Sequence, residues 1–330
     1  MTPFSYSRAS DPQTAISGVA ANPKAKFLGG GTNLVDLMKM GVERPEQLVD
    51  INRLDLAKVE ELPNDGGIRI GALVRNSDLA EHRLIASRYP VLSEALLSGA
   101  SPQLRNLATT AGNLLQRTRC YYFYDPAFQM CNKRVPGSGC GALEGYNRIH
   151  AILGQSQQCI ATHPSDMCVA MAALDAVVRV QGPAGERTIP FADFHRLPGD
   201  TPNVETNLQP NELITAVDLP AIPFATRSHY LKVRDRASYA FALVSVAAIL
   251  ELENGTIKSA RLALGGVAHK PWRASKAEQA LTGKKPDAAA FKAAADAELA
   301  AAKGYKYNTF KIELAKRAIS QALTTVAALA

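Results

Sequence analysis

KFLGGGTNLVDLMK, running from Lys26 to Lys39, is the stretch whose reading decides the fold. Phe27 and Leu28 read as the end of a buried strand. Gly29, Gly30 and Gly31 read as a turn without side chains, and Thr32 and Asn33 lead into a helix with apolar positions at Leu34, Val35, Leu37 and Met38. Three glycines in a row permit positive φ and let a ligand lie against backbone amides. N–H groups at the start of the helix favour an anion such as a pyrophosphate. The spacing is not G-x-G-x-x-G, and no Lys-Ser/Thr follows as in a P-loop, so this stretch alone is equally compatible with a plain tight turn.

A second loop tips the balance. Thr109-Thr110-Ala111-Gly112-Asn113-Leu114 repeats a small-residue turn ending in Gly-Asn-Leu, much as Gly31-Thr32-Asn33-Leu34 does. Two such loops are expected to grip two ends of one long phosphorylated cofactor. The pair GGGTNLVDLMK and TTAGNLLQRT resembles the FAD-binding subunit of the molybdenum hydroxylases, the xanthine dehydrogenase and carbon monoxide dehydrogenase group, and the resemblance spans essentially the whole chain. It implies an α+β fold with a two-lobed FAD-binding domain of the vanillyl-alcohol-oxidase type at 1–221 (lobes about 1–55 and 56–221). A CO-dehydrogenase-flavoprotein C-terminal domain is implied at 222–330. FAD contacts are implied at Lys26, Phe27, Leu28, Gly29, Gly30, Gly31, Thr32, Asn33, Leu34, Thr109, Thr110, Gly112, Asn113, Ser165, Asp166, Leu213, Ile214 and Lys232. The resemblance implies no catalytic residue in this subunit.

The bulk numbers set limits on other readings. A chain of 330 residues suits two or three domains, and 47% apolar with 20% charged residues is globular composition. The longest apolar run, Tyr239 to Leu250, is too short to span a bilayer and reads as buried core. The start MTPFSYSRAS lacks a charged segment followed by an apolar one, so no signal peptide is expected. Net charge is +7, but the 37 Lys and Arg are dispersed among 30 acids without a basic block, which argues against nucleic acid. A basic face toward an acidic partner subunit or an anionic cofactor fits better.

Along the chain, residues 1–55 read as strand, helix, strand, Gly loop, helix, strand, with Asp11-Pro12 opening the first helix and Gln47 to Ile51 the last strand. A β unit follows with Ile68 to Gly71 after the turn Asn64-Asp65-Gly66-Gly67, then helices at Asp78 to Arg88 and Val91 to Ser98. His163-Pro164-Ser165-Asp166 reads as a helix start with Pro in its first turn, and the helix runs through Leu174. Strands at Ala176 to Val180 and Arg187 to Ile189 flank Gly182-Pro183-Ala184-Gly185, and Leu213 to Leu219 is another strand. The last hundred residues read as a meander (Tyr230 to Val233, Leu243 to Leu250, Ser259 to Leu264) and three Ala-rich helices starting near Ser275, Pro286 and Asn308.

Between Arg117 and Cys159 the periodicity stops, and a loop that long is functional or held by something other than a core. Cys120, Cys131, Cys140 and Cys159 are spaced C-x10-C-x8-C-x18-C, compatible with two disulfides, one metal centre or free thiols. Closely spaced zinc pairs are absent, and wide spacing suits a 4Fe–4S cluster held by four thiolates. Within the family, an inserted four-cysteine loop after the second FAD loop occurs in two relatives, the FAD subunit of the periplasmic aldehyde oxidoreductase and the β subunit of 4-hydroxybenzoyl-CoA reductase. LLQRTRCYYFYDPAFQMCNKRVPGSGCGALEG and KVRDRASYAFALVSVAA (Lys232 to Ala248) look more like the first. That resemblance implies a 4Fe–4S cluster on Cys120, Cys131, Cys140 and Cys159, in a heterotrimer of periplasmic location by co-export. Its partners would be a large molybdenum-cofactor subunit and a small subunit with 2Fe–2S clusters and the signal. Cys168, between Met167 and Val169, reads as a small buried hydrophobe.

His82, His150, His163, His195, His229 and His269 lie far apart in sequence with no H-x-x-x-H spacing. Ser165-Asp166 matches a family pair that lies against FAD, and a first-turn acid also suits a helix dipole. Lys232, Arg234 and Tyr239 are candidates to flank the isoalloxazine, where a cation favours the reduced anion. The resulting expectation is an electron-transfer subunit of an aldehyde oxidoreductase. The rivals are a 4-hydroxybenzoyl-CoA reductase β subunit and a non-catalytic scaffold retaining the fold.

Overall fold

The computed structural model describes residues 1–63 and 66–329. Asn64 and Asp65 of the expected turn lie outside the described residues. The N-terminal lobe follows the sequence pattern element for element. Its parallel strands Ser5–Arg8, Gln47–Asp50 and Ala25–Leu28 stand in that spatial order, in register from Ser5 and Ala25 opposite Gln47. The helix Pro12–Ala20, capped by the Asp11 carboxylate accepting from the Thr14 amide at 2.8 Å, closes the lobe by burying Ala15, Ile16 and Val19.

The second lobe is a five-stranded sheet in the order Val59–Glu61, Ile68–Gly71, Leu213–Leu219, Val177–Gly182, Gly185–Pro190. Its pairs are antiparallel. Helices cover one face of it, among them Pro90–Ser98 and Asp166–Ala173. The expected helix from Asp78 to Arg88 is two helices, Asn76–Glu81 and Arg83–Arg88, because His82 is extended at φ −64°, ψ 126°. Asp166–Ala173 starts later than expected. Ser165 is its cap, accepting from the Cys168 amide at 3.0 Å, so Pro164 stands before the helix and not in its first turn.

The C-terminal meander pairs Trp272–Arg273, Thr256–Gly265, Val244–Glu253 and Ser228–Val233 in that order, all antiparallel. Its central strand explains the long apolar run. Val244, Val246, Ala248 and Leu250 face the helices Ser275–Leu281, Ala288–Leu299 and Phe310–Ala327, while Ala247 and Ile249 join the core of the second lobe. A strand buried on both faces has no polar side to alternate with. No helix among the described residues is long and apolar enough to cross a membrane.

Candidate functional site

A cavity of about 420 Å³ lies where the two loops meet, within the size range of small-molecule sites. Its wall includes all nine residues from Lys26 to Leu34, together with Thr109, Gly112, Leu213 and Ile214. Phe27 and Leu28 are half-buried rather than buried, since their side chains border this space. The loops do not stand at opposite ends. A Cβ on Gly29 would come 3.1 Å from Thr109 Oγ1, and one on Gly30 would run into the Leu107 carbonyl. Gly31 has φ +72°, the left-handed region that glycine takes without strain. The helix after the loop, Leu34–Lys39, has only six residues, so the backbone cradle matters here more than a helix dipole. Asn33 fixes the loop from behind: its Oδ1 accepts from the Arg117 amide at 2.9 Å, and its Nδ2 donates to Tyr124 Oη at 3.2 Å.

The other expected cofactor residues stand off that wall. Thr110 is fully buried and its hydroxyl donates to the Val74 carbonyl. Asn113 Oδ1 accepts from Ser165 Oγ at 2.6 Å. Asp166 and Lys232 pair with each other at 2.8 Å, with only 8% and 4% of their side chains exposed, and Tyr230 Oη donates to the same carboxylate at 2.8 Å. Lys232 and Arg234 both donate to the Ser98 carbonyl, while Tyr239 is exposed.

The four loop cysteines converge. Cys120, Cys131, Cys140 and Cys159 are free thiols lining one cavity of about 10 Å³ with Phe123, Met130 and Lys133. No disulfide joins them. Burial pushes the Cys120 thiol up to about 12 and Cys159 up to about 11, so these groups stay protonated unless a cation lies among them. That donor set fits a 4Fe–4S cluster. His150 Nε2 lies 3.1 Å from Cys120 Sγ.

A chain of charges, buried at Lys133 and half-buried at Glu205, Arg117 and Glu43, lies between the two cavities. Lys133 uses all three ammonium protons, on Glu205 at 2.6 Å, His269 Nε2 at 2.6 Å and the Pro202 carbonyl at 2.9 Å. Glu205 is also held by Arg117 Nε at 2.6 Å, and Arg117 reaches Glu43 at 2.5 Å. Despite burial, Lys133 and Arg117 hold the Glu205 carboxyl down at about 2. Glu43, Arg117, Glu205 and His269 border the large cavity, and Lys133 borders the small one.

Residues 2–222 match the family described as FAD binding domain in molybdopterin dehydrogenase, and residues 229–326 the CO dehydrogenase flavoprotein C-terminal domain. The chain is 55% identical to the aldehyde oxidoreductase FAD-binding subunit PaoB of Escherichia coli (strain K12), covering 98% of each. The chain belongs to the FAD-binding subunits of the molybdenum hydroxylases. It is 30% identical to the glyceraldehyde dehydrogenase medium chain of Sulfolobus acidocaldarius, over 86% of this chain and 82% of that one. The solved carbon monoxide dehydrogenase of Hydrogenophaga pseudoflava aligns at TM-score 0.77 and 26% identity, covering 99% and 98%. This molybdenum-hydroxylase flavoprotein subunit is therefore part of an oxidoreductase, with the α+β architecture expected of the family.

Sequence spacing misses one feature of the flavoprotein subunit. His163, His195 and His269, remote in sequence, all border the large cavity. The rings of His163 and His195 stand 4.4 Å apart, and a donor atom of each lies within 4.8 Å of Cys168 Sγ. Burial keeps all three imidazoles neutral, with His195 and His269 at about 4 and His163 well below its ordinary value. Cys168 itself sits fully buried in the second lobe's core, as its neighbours in sequence suggest. The one hint in the sequence is that His163 precedes Pro164 next to the Ser165 cap.

Proposed function

We propose that this protein is the FAD- and 4Fe–4S-carrying electron-transfer subunit of a molybdenum-dependent aldehyde oxidoreductase, with its FAD-binding part at 1–221 and its C-terminal part at 222–330. The observation that carries the reading is the adjacency of two differently built cavities: a glycine-lined one with backbone amides at its wall, and one ringed by four free cysteines. The names of the two relatives, an aldehyde oxidoreductase subunit and a glyceraldehyde dehydrogenase chain, favour an aldehyde as the substrate of the whole complex.

When bound, the two cofactors supply the electron transfer between a partner's 2Fe–2S clusters and an external acceptor. The chain's own part is binding, orientation and electrostatics. The Gly29–Gly31 backbone leaves room for a pyrophosphate against its amides. The cysteines would supply thiolates, and Lys133, whose ammonium is paired with Glu205, borders the same space. Asn33 ties the glycine loop to Arg117 and Tyr124 at the start of the cysteine loop, so the two sites share one support. The proposed partners are a large molybdenum-cofactor subunit and a small 2Fe–2S subunit, with export to the periplasm by way of the small subunit's signal.

Flavin, iron, acid-labile sulfide and the subunit list of the purified native complex test this. One flavin and a 4Fe–4S equivalent assigned to this chain are expected, and each of Cys120→Ser, Cys131→Ser, Cys140→Ser and Cys159→Ser should lose close to a full cluster of iron. Turnover of an aromatic CoA thioester in place of aromatic aldehydes would move the assignment to the 4-hydroxybenzoyl-CoA reductase relatives. A colourless complex without flavin would leave only a scaffold role.

A further inference from the structure

Among the described residues, one side chain hydrogen-bonds to a sulfur of the four loop cysteines: His150 Nε2 lies 3.1 Å from Cys120 Sγ. Other sulfurs in the ring are met by backbone amides. The Ala161 amide stands 3.4 Å from Cys159 Sγ, and the amides of Ala142 and Ile160 stand against Cys140. Cys120 has the amides of Tyr122 and Phe123 in addition to the imidazole. His150 is 1% exposed and is held from several sides. Its amide donates to the Asn147 carbonyl at 3.0 Å, and its carbonyl accepts from Asn308 Nδ2 at 3.2 Å and from Lys311 Nζ at 2.8 Å. The rings of Tyr121 and Tyr122 each stand 6.4 Å from the imidazole, centroid to centroid. The C-terminal helix, through Lys311, therefore helps to set where this ring stands.

The sulfur decides which ring nitrogen carries the proton. Nδ1 is buried without a hydrogen bond, with the Asn147 carbonyl near the ring. A cysteine sulfur bound to iron has no proton and carries negative charge, so it only accepts. A hydrogen bond to a charged acceptor is roughly twice as strong as one to a neutral carbonyl, which places the proton on Nε2. We propose that His150 is a positioning residue for electron transfer: its Nε2–H donates to Cys120 Sγ and raises the reduction potential of the cluster that Cys120 helps to hold. The inference rests on the reading that Cys120, Cys131, Cys140 and Cys159 bind a 4Fe–4S cluster. Reduction adds one electron, supplied within the complex, and spreads negative charge onto the ligand sulfurs. A donor at Sγ is attracted more strongly in that state, so the electron is accepted more readily. The imidazole keeps its proton throughout.

The purified complex, grown on isotopically enriched iron, is poised at a series of potentials, and Mössbauer spectra give the reduced fraction of the four-iron centre. His150→Phe keeps an aromatic ring beside Tyr121 and Tyr122 but has no N–H, whereas His150→Gln keeps an N–H near the Nε2 position. His150→Phe should retain its iron and be about tenfold harder to reduce at a given potential, a midpoint lower by about 59 mV for one electron. His150→Gln should stay near wild type. If His150→Phe loses its iron, His150→Gln with full iron and a near-wild-type midpoint still supports the donor role. His150→Phe with full iron and the wild-type midpoint overturns the proposal. A midpoint in His150→Gln lowered as far as in His150→Phe, or iron lost alike from both variants, overturns it too, because glutamine keeps the donor. A wild-type complex with its flavin but no four-iron centre overturns the cluster reading itself, and this proposal with it.

Discussion

The glycine loop and the cysteine loop sit against each other, yet they are built by opposite means. Gly29 to Gly31 take their shape from a few consecutive residues: a strand end, one positive φ at Gly31, and a helix that starts three residues later. The cysteine loop is shaped from far away. Asn132 donates to Gln158, the Asn147 side chain accepts from the Tyr307 amide, and Asn308 donates to the His150 and Ala151 carbonyls. Lys311, fully buried and pushed down to about 7 by that burial, donates to the carbonyls of Ile149, His150 and Gly266. Ile152 and Leu153 enter the C-terminal core. A segment without periodicity can be ordered when distant side chains satisfy its backbone.

The largest test of that contrast is Lys133→Met, which takes away the buried one of the two cations held by half-buried Glu205. Breaking such a pair is expected to destabilise by about 3–5 kcal/mol, measured by chemical denaturation. Because Glu205 and Arg117 border the large cavity proposed to hold the flavin, flavin content should fall as well. Unchanged flavin would mean that the two regions are independent.

Gly30→Val attacks the other side. Its Cβ meets the Leu107 backbone, which cannot swing away like a side chain, so about 3 kcal/mol of overpacking is expected. Flavin should be lost while iron is retained, and loss of both in equal measure would show that the cysteine loop depends on the glycine loop.

A pH series separates the buried imidazoles from the carboxylates. His195 and His269 sit near 4 in the folded state, below their ordinary value of 6.5, so the unfolded chain binds more protons between those limits. Their contribution to stability is complete above pH 6.5 and falls as pH drops toward 4, by roughly 1.4 kcal/mol per pH unit for each histidine at full effect. Urea midpoints at pH 7 and pH 5 should differ less in His195→Phe than in wild type, and an unchanged difference would remove His195 as a source.

The smallest effect belongs to Cys168→Ala. Cys168 is buried in the second lobe's core and is not one of the four thiols around the small cavity, so about 1 kcal/mol of packing should go while iron and flavin remain. Loss of iron in this variant would redraw the ligand set.

Most of the glycine side was readable because its signals are local. The strand–Gly loop–helix pattern, the Asp11 cap and strands such as Ile68–Gly71 and Leu213–Leu219 fall where periodicity places them. Less was readable where one residue's backbone broke a pattern, as at His82, or where capping outweighed a proline, as at Ser165. The grouping of Asp166 with Lys232 was not legible as a pair, since 66 residues separate them.

By itself the sequence determined the order of elements, the two small-residue loops and the four thiols in a stretch unable to build its own core, because each depends on neighbours along the chain. Only the tertiary structure decided that the loops touch, that Lys133 and Glu205 lie between the two cavities, and that His163 meets His195. Those facts depend on how sheets and helices pack, and spacing along the chain carries no record of distance across a fold.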